Sequence, residues 1–297
     1  MTVDRRLLLV HAHPDDESIN NAATMARYAA EGAHVSLVTC TLGELGEILD
    51  PQYAGLAAGR ADQLGGYRIS ELKAALAELG VTDHRFLGGA GRWRDSGMMG
   101  TAGNRDPRSF WRCADDPAAF DAATASLVDV LRDLRPQVVI TYNENGGYGH
   151  PDHIMAHRVT LAAIDRAAAD DGAGSPWSVA KLYYSAYAQS QMQRVIDAAA
   201  AAGDSALAAE LAGELEFGVA DEEITTTVDG RAWVAAKLAA LRAHRTQLTD
   251  DAPFFVVGRY GGDDLLGCEQ YQLARGELGD PCDGSGRETD LFAGLAS

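Results

Sequence analysis

Residues 7–40 read LLLVHAHPDDESINNAATMARYAAEGAHVSLVTC, and their pattern changes twice. Leu7 to Val10 is a short aliphatic run of the kind that forms a buried strand. The alanine-rich stretch from Glu17 to Glu31 has the composition of a helix, and His34 to Thr41 returns to β-branched and aliphatic residues. Strand, helix, strand within 35 residues predicts a right-handed βαβ unit and a parallel sheet. The alternation continues. Leu72, Ala75, Leu76 and Leu79 stand at i, i+3, i+4 and i+7, one stripe of an amphipathic helix. Leu127, Val130, Leu131 and Leu134 repeat that pattern before Pro136, and Gln137 to Tyr142 (QVVITY) follows as a strand covered on both faces. Beyond it, Lys181 to Tyr187 reads as a strand, Ser190 to Ala202 as a helix and Ala232 to Leu248 as a long amphipathic helix. The expected fold is a Rossmann-like α/β domain, mostly parallel, spanning residues 1–297 as one unit with an elaborated C-terminal half. Two glycine-rich stretches, Thr41 to Gly66 and Gly88 to Pro117, exceed routine connections and leave the carboxyl ends of strands, the edge where such sheets bind ligands.

Composition narrows the function. The 297 residues are 46% hydrophobic and 23% charged, enough to bury a sizeable core, and disorder is excluded. The formal net charge of −18 repels phosphate backbones and anionic lipid, so neither nucleic acid nor membrane is expected as a partner. No apolar run spans a bilayer and the N-terminal residues lack the pattern of a signal peptide, so a cytoplasmic location is expected. Cys40, Cys113, Cys268 and Cys282 form no C-x-x-C pair, which predicts four free thiols.

Two clusters carry chemistry. His11, His13, Asp15, Asp16 and Glu17 stand where the first strand gives way to a helix, with His11 and His13 on one strand face by the period of two. The adjacent acids cannot aim at one point from a regular element; one is free to bind a metal while its neighbour faces a substrate. Both also suit a helix N-terminus. The second cluster, GGYGHPDH at 146–153, follows QVVITY in the equivalent place and again enters a helix at Pro151. Imidazole and carboxylate from two strand ends suit a zinc site of two histidines, one aspartate and an open position. The spacing admits two pairings: His13 with His153, or His153 with His157 at i, i+4. No G-x-G-x-x-G follows the first strand and no G-x-x-x-x-G-K-[ST] occurs anywhere, which argues against a nucleotide-binding Rossmann domain. A non-catalytic metal-binding protein would close its coordination sphere with protein ligands.

AHPDDE at 12–17 together with GHPDH at 149–153 resembles the metal-dependent N-acetylglucosaminyl deacetylases that act on phosphatidylinositol glycans and related amino-sugar conjugates. TLGELGE at 41–47, DQLGGYR at 62–68, LGGAGRWRDSGM at 87–98, LRAH at 241–244 and DLFAG at 290–294 resemble the branch of that family serving mycothiol assembly. The resemblance covers most of the chain. It implies a Rossmann-like fold and hydrolysis of the acetamide of N-acetylglucosaminyl-inositol, a small pseudodisaccharide, to glucosaminyl-inositol and acetate. Cleavage of mycothiol S-conjugates by a sister amidase is the alternative activity. The resemblance further implies that His13, Asp16 and His153 bind one zinc or ferrous ion per chain, with Asp15 as general base. His150, in protonated form, and Tyr148 would stabilise the tetrahedral intermediate. Arg68, Asp95 and Glu47 would contact the sugar or inositol. Ile19 and Asn20 depart from the family pattern in the sugar pocket. Trp93 is read either as a sugar platform or as a core anchor of its loop.

Overall fold

The computed structural model describes residues 4–295 apart from 171, 173, 251 and 257, so the extreme ends of the expected 1–297 domain lie outside the described residues. In chain order the strands are β1 (Arg6–His11), β2 (His34–Thr39), β3 (Asp83–Phe86), β4 (Val138–Thr141), β5 (Lys181–Ala186), β6 (Thr226–Asp229) and β7 (Cys268–Arg275). The helices are α1 (Asp16–Asn20), α2 (Ala22–Ala30), α3 (Leu64–Glu78), α4 (Pro117–Leu134), α5 (Gly146–Gly149), α6 (Pro151–Ala168), α7 (Gln189–Ala201), α8 (Ser205–Glu214), α9 (Val234–Ala243), α10 (Pro253–Val256) and α11 (Gly258–Gly267).

One sheet contains all seven strands in the order β3-β2-β1-β4-β5-β7-β6. The five strands from β3 to β5 are parallel, while β7 runs antiparallel to both β5 and β6, completing the mixed edge. β1 shows why its continuous aliphatic run is required. Leu8 and Val10 face a core built with α4 and α6, whereas Leu7 and Leu9 face a second core built with α2, α3 and α9. Each face of the strand is thus covered by helices, so Leu7 to Val10 are aliphatic without interruption. α4 is bounded as its sequence indicates. Asp116 accepts from the amides of Ala118 and Ala119, Pro117 occupies the first turn, and Arg135 turns left-handed ahead of Pro136.

Strand order reverses between β1 and β4, whose register pairs Leu7 with Val138 and Leu9 with Ile140. Beyond the carboxyl ends of these two strands lies the crevice where sheets of this kind place ligands. Two expected elements differ. The helix expected over 17–31 is broken at Asn21 (φ −137°), whose side chain meets His11, Ser185 and Tyr271 instead of following the helix; Glu269 then caps α2 by accepting from the amides of Ala23 and Thr24. The helix expected over 232–248 is shorter, because the chain leaves α9 at His244 and delivers His244 to Glu17 and Thr246 to Glu71. Among the described residues no helix is long and apolar enough to cross a membrane. All four cysteines are free, Cys40 and Cys113 being buried.

Candidate metal centre

Pro14 ends the path of β1, and Asp15 turns into α1 with φ 123° and ψ −30°, a conformation that side-chain-bearing residues rarely adopt. The turn separates the two acids. Asp16 points inward beneath the sheet edge, while Asp15 keeps 16% of its side chain exposed toward the crevice. On the β4 side, Gly146, Gly147 and Gly149 take positive φ, and His150 caps α6 by accepting from the Asp152 amide through Nδ1 at 3.1 Å. α6 then carries Asp152 and His153 in its first turn.

The two segments meet. His13 Nδ1 lies 3.3 Å from His153 Nε2 and 3.5 Å from Asp16 Oδ2, and His153 Nε2 lies 3.4 Å from Asp16 Oδ1. Ligand atoms held at about 2.1 Å around a tetrahedral zinc stand about 3.4 Å apart, so these three side chains already span one face of such a coordination sphere. The opposite ring nitrogens are engaged. His153 Nδ1–H donates to the Gly146 carbonyl at 3.1 Å, and His13 Nε2–H donates to Asp152 Oδ2 at 3.2 Å. The bond leaves His153 Nε2 with an inward lone pair, and His13 offers the same at Nδ1 once a cation displaces the proton there. Asp16 is oriented in turn by Tyr142, whose Oη–H donates to Oδ2 at 2.7 Å and whose ring stacks on His153 at 4.2 Å.

The electrostatics favour a cation. Burial, His13 and His153 outweigh the opposing Asp152 and leave the His150 pKa lowered to about 3, and burial lowers that of His153 to about 4, so both rings are neutral. Burial also opposes charge on His13, yet Asp95, Asp152 and Asp16 raise its pKa well above the usual histidine value. Burial opposes ionisation of Asp16, but His153 and His13 hold it well below the carboxylate range. Three carboxylates around a largely neutral set of imidazoles make a pocket that a divalent ion would balance. His13, His150 and His153 form one group with metal-binding spacing; His13, Asp95, His150 and Asp152 form another.

Asp15 differs from Asp16. Burial raises its pKa to about 6, even though Arg68 pulls the other way, with Nη2 2.9 Å from Asp15 Oδ2. A carboxylate tuned near neutrality beside a metal site has the properties of a general base. Because His150 Nδ1 accepts from a backbone amide, its proton sits on Nε2; the ring offers a neutral N–H donor, in place of the expected imidazolium. Tyr148 lies edge-on to His153 at 5.1 Å, is 44% exposed, and keeps its proton because desolvation and the nearby Asp16 raise its pKa.

The expected substrate contacts are placed differently from one another. Glu47 is exposed in the loop after β2. Arg68 is buried behind Asp15, donating also to the carbonyls of Gly43 and Pro14. Asp95 is buried, accepts from the amides of Leu45 and Gly97, and approaches His13 Nε2 at 3.6 Å, so its carboxylate ties the two long loops to the metal-site floor. Trp93 is a core anchor packed near Phe110. His157 bonds the Tyr142 carbonyl and His11 sits between Tyr142 and Asn21, so neither joins the cluster. β1 ends at His11, which is why the expected shared face of His11 and His13 does not become a shared site. Sequence reading passed over Asp152 and Tyr142. Asp152 lies inside the quoted GHPDH stretch, while Tyr142 ends QVVITY and looks like any strand aromatic until its hydroxyl is seen against Asp16.

A parallel-sheet switch point carrying two histidines, an ionised aspartate and an adjacent near-neutral acid defines a hydrolase-type metal centre. The chain belongs to the GlcNAc-PI de-N-acetylase family, whose model matches residues 8–164. It is 56% identical over 301 aligned positions to a Geodermatophilus obscurus protein named 1D-myo-inositol 2-acetamido-2-deoxy-alpha-D-glucopyranoside deacetylase, with 99% of each chain covered. It is 57% identical to a protein of the same name from Acidothermus cellulolyticus, covering 98% of this chain and 95% of the relative. Among solved structures, the fold matches a conserved protein of Thermus thermophilus at TM-score 0.58 and 22% identity, covering 93% of this chain and 98% of the other. It matches N,N'-diacetylchitobiose deacetylase of Pyrococcus horikoshii at TM-score 0.58 and 18% identity, covering 91% and 84%.

Proposed function

We propose that this protein hydrolyses the N-acetyl amide of 1-O-(2-acetamido-2-deoxy-α-D-glucopyranosyl)-1D-myo-inositol, releasing acetate and glucosaminyl-inositol in the cytoplasm as a step of mycothiol assembly. The chain acts as one unit, since β6 and β7 complete the sheet that β1 begins. The observation that carries the reading is the convergence of His13, Asp16 and His153 at 3.3–3.5 Å beside Asp15, in a chain 56–57% identical over nearly its full length to relatives named for that reaction. Those three residues would hold one zinc or ferrous ion per chain, since both ions accept two imidazoles and a carboxylate. When bound, such an ion supplies Lewis acidity and makes water acidic enough to attack an amide near neutral pH.

The protein's own groups do the rest. Asp15 takes a proton from the attacking water. The Nε2–H of His150 and the Tyr148 hydroxyl donate to the acetyl oxygen as it gains charge, and one such donor is worth roughly 10²- to 10³-fold in rate. With the His150 pKa at about 3 and that of Asp15 at about 6, Asp15 is the group that carries the proton on to the departing amine. Glu47, exposed in its loop, contacts the pseudodisaccharide. Arg68 and Asp95 shape the crevice from behind, and they reach a hydroxyl only by exchanging bonds they now make.

The test is release of free amine from N-acetylglucosaminyl-inositol by purified protein, with chelated, metal-restored and Asp15→Ala samples alongside. Turnover that chelation removes, zinc or ferrous iron restores and Asp15→Ala cuts to a small residual rate is the expected result. A folded, metal-loaded protein that leaves this substrate intact and cleaves a mycothiol S-conjugate would move the assignment to the amidase reaction.

A further inference from the structure

The peptide unit joining Pro14 to Asp15 is gripped from both sides. Its carbonyl accepts from Arg68 Nη2, and its N–H donates to Glu17 Oε2 at 3.0 Å. Between those bonds stands a residue at φ 123°, one of three side-chain-bearing residues with positive φ among the described residues. Such backbone strain persists only where its surroundings over-determine it. Glu17 is fully buried, and its second oxygen has its own partners: Oε1 accepts from His244 Nε2–H at 2.8 Å and from Ser18 Oγ at 2.5 Å. His244 is also fully buried and arrives from the end of α9, 227 residues along the chain. Its other nitrogen, Nδ1, has no partner among the described residues, so the polar bonding of the imidazole is spent on Glu17 and Ser18. A fully buried histidine with one unpartnered nitrogen is costly to keep unless the other nitrogen does something the fold requires.

We propose that His244 and Glu17 are positioning residues for the hydrolysis: His244 fixes the Glu17 carboxylate, and Glu17 holds the Asp15 amide so that the Asp15 carboxylate stays aimed into the crevice. Neither residue touches substrate. The inference rests on Asp15 being the base. The pair acts on turnover through the direction of one carboxylate, so its loss lowers kcat and leaves substrate binding and metal binding as they were.

The experiment is a double-mutant cycle on the metal-loaded enzyme, with KM, kcat and bound metal per chain measured for Asp15→Ala, His244→Ala, His244→Gln and the two double variants. Displacement of a reacting group by a fraction of an ångström predicts a kcat loss of roughly 10- to 100-fold for His244→Ala, with KM and metal content unchanged. His244→Gln, whose amide N–H reaches the same carboxylate, restores most of the rate. In the residual turnover of the Asp15→Ala background, followed at high enzyme concentration, removing His244 costs less than about twofold, because the group it positions is already gone. Losses that multiply in that background, or that appear in KM or metal content, overturn the proposal. Should His244→Ala fail to fold, Glu17→Gln takes its place in the cycle, with a kcat loss expected alone and little further loss in the Asp15→Ala background. The base assignment is read separately, from Asp15→Ala alone: full turnover there overturns it, whereas a severely slowed Asp15→Ala with an unaffected His244→Ala overturns only the positioning role.

Discussion

His13 Nδ1 and His153 Nε2 lie 3.3 Å apart across 140 residues of sequence, and the other nitrogen of each ring is bound to an acceptor that fixes which nitrogen carries the proton. Burial lowers the His153 pKa, while the carboxylates around His13 overcome burial and raise its own, so the pair stands as one neutral and one readily charged ring facing each other in a buried site, and a cation that displaced the His13 Nδ1 proton would find two nitrogens already within ligand spacing. The arrangement reads as a preformed pair of ligands. Their supporting residues are therefore where the site is most exposed to mutation.

Asp152→Asn tests that support. With its oxygen in the Oδ2 position the amide still accepts from His13 Nε2–H and the Ser96 amide, but it is neutral and cannot accept from the Ser96 hydroxyl, so it holds and polarises the His13 ring more weakly. Metal affinity should fall by about 10- to 100-fold with the fold retained. Competition with a chelator of known affinity measures it.

The acid limb of activity should follow Asp15. A carboxyl raised to about 6 is protonated, and useless as a base, below that pH, so kcat/KM should drop about tenfold per pH unit on the acid side and level above it. Arg68 lowers the Asp15 pKa, so Arg68→Met should move the limb to higher pH. A limb that stays in place in this variant contradicts the pairing.

Tyr142→Phe removes one hydroxyl that serves three partners: it donates to Asp16, accepts from the Ala12 amide at 2.9 Å and meets His11 Nδ1 at 3.1 Å. The buried Ala12 N–H is left without its acceptor, which costs about 1–3 kcal/mol. Urea unfolding should show a lower midpoint with an unchanged slope, and metal binding should weaken because Asp16 loses a partner.

Gly146→Ala should damage both stability and the site. At φ +64° a Cβ would lie 2.7 Å from His153 Cβ and from the Ile154 amide nitrogen. The left-handed conformation alone costs about 1–2 kcal/mol, and the shift needed to relieve the contact displaces the carbonyl that orients His153. A lower unfolding midpoint together with reduced metal occupancy is the expected outcome. Gly147→Ala, where a Cβ meets open space, separates the contact from the backbone strain.

The strands and helices around β1 and β4 were legible along the chain because their cause is local. A strand covered on both faces must be aliphatic throughout, and the helices over 64–78 and 117–134 must each present one apolar stripe. His13, Asp16 and His153 were legible as candidates because both motifs follow strand ends, which the βαβ rule brings to one edge of the sheet. The antiparallel β7, the break at Asn21 and the early end of α9 were not, since each is set by partners far along the chain: Asn21 by Ser185 and Tyr271, and His244 by Glu17. The same holds for the choice of His13 over His157 as the partner of His153, and for the inward turn of Arg68 and Asp95. Spacing states which residues can share a helix face or a strand end. Which nitrogen faces which carboxylate is decided by burial, where every polar atom must find a partner, and those partners are known only once the chain has closed on itself.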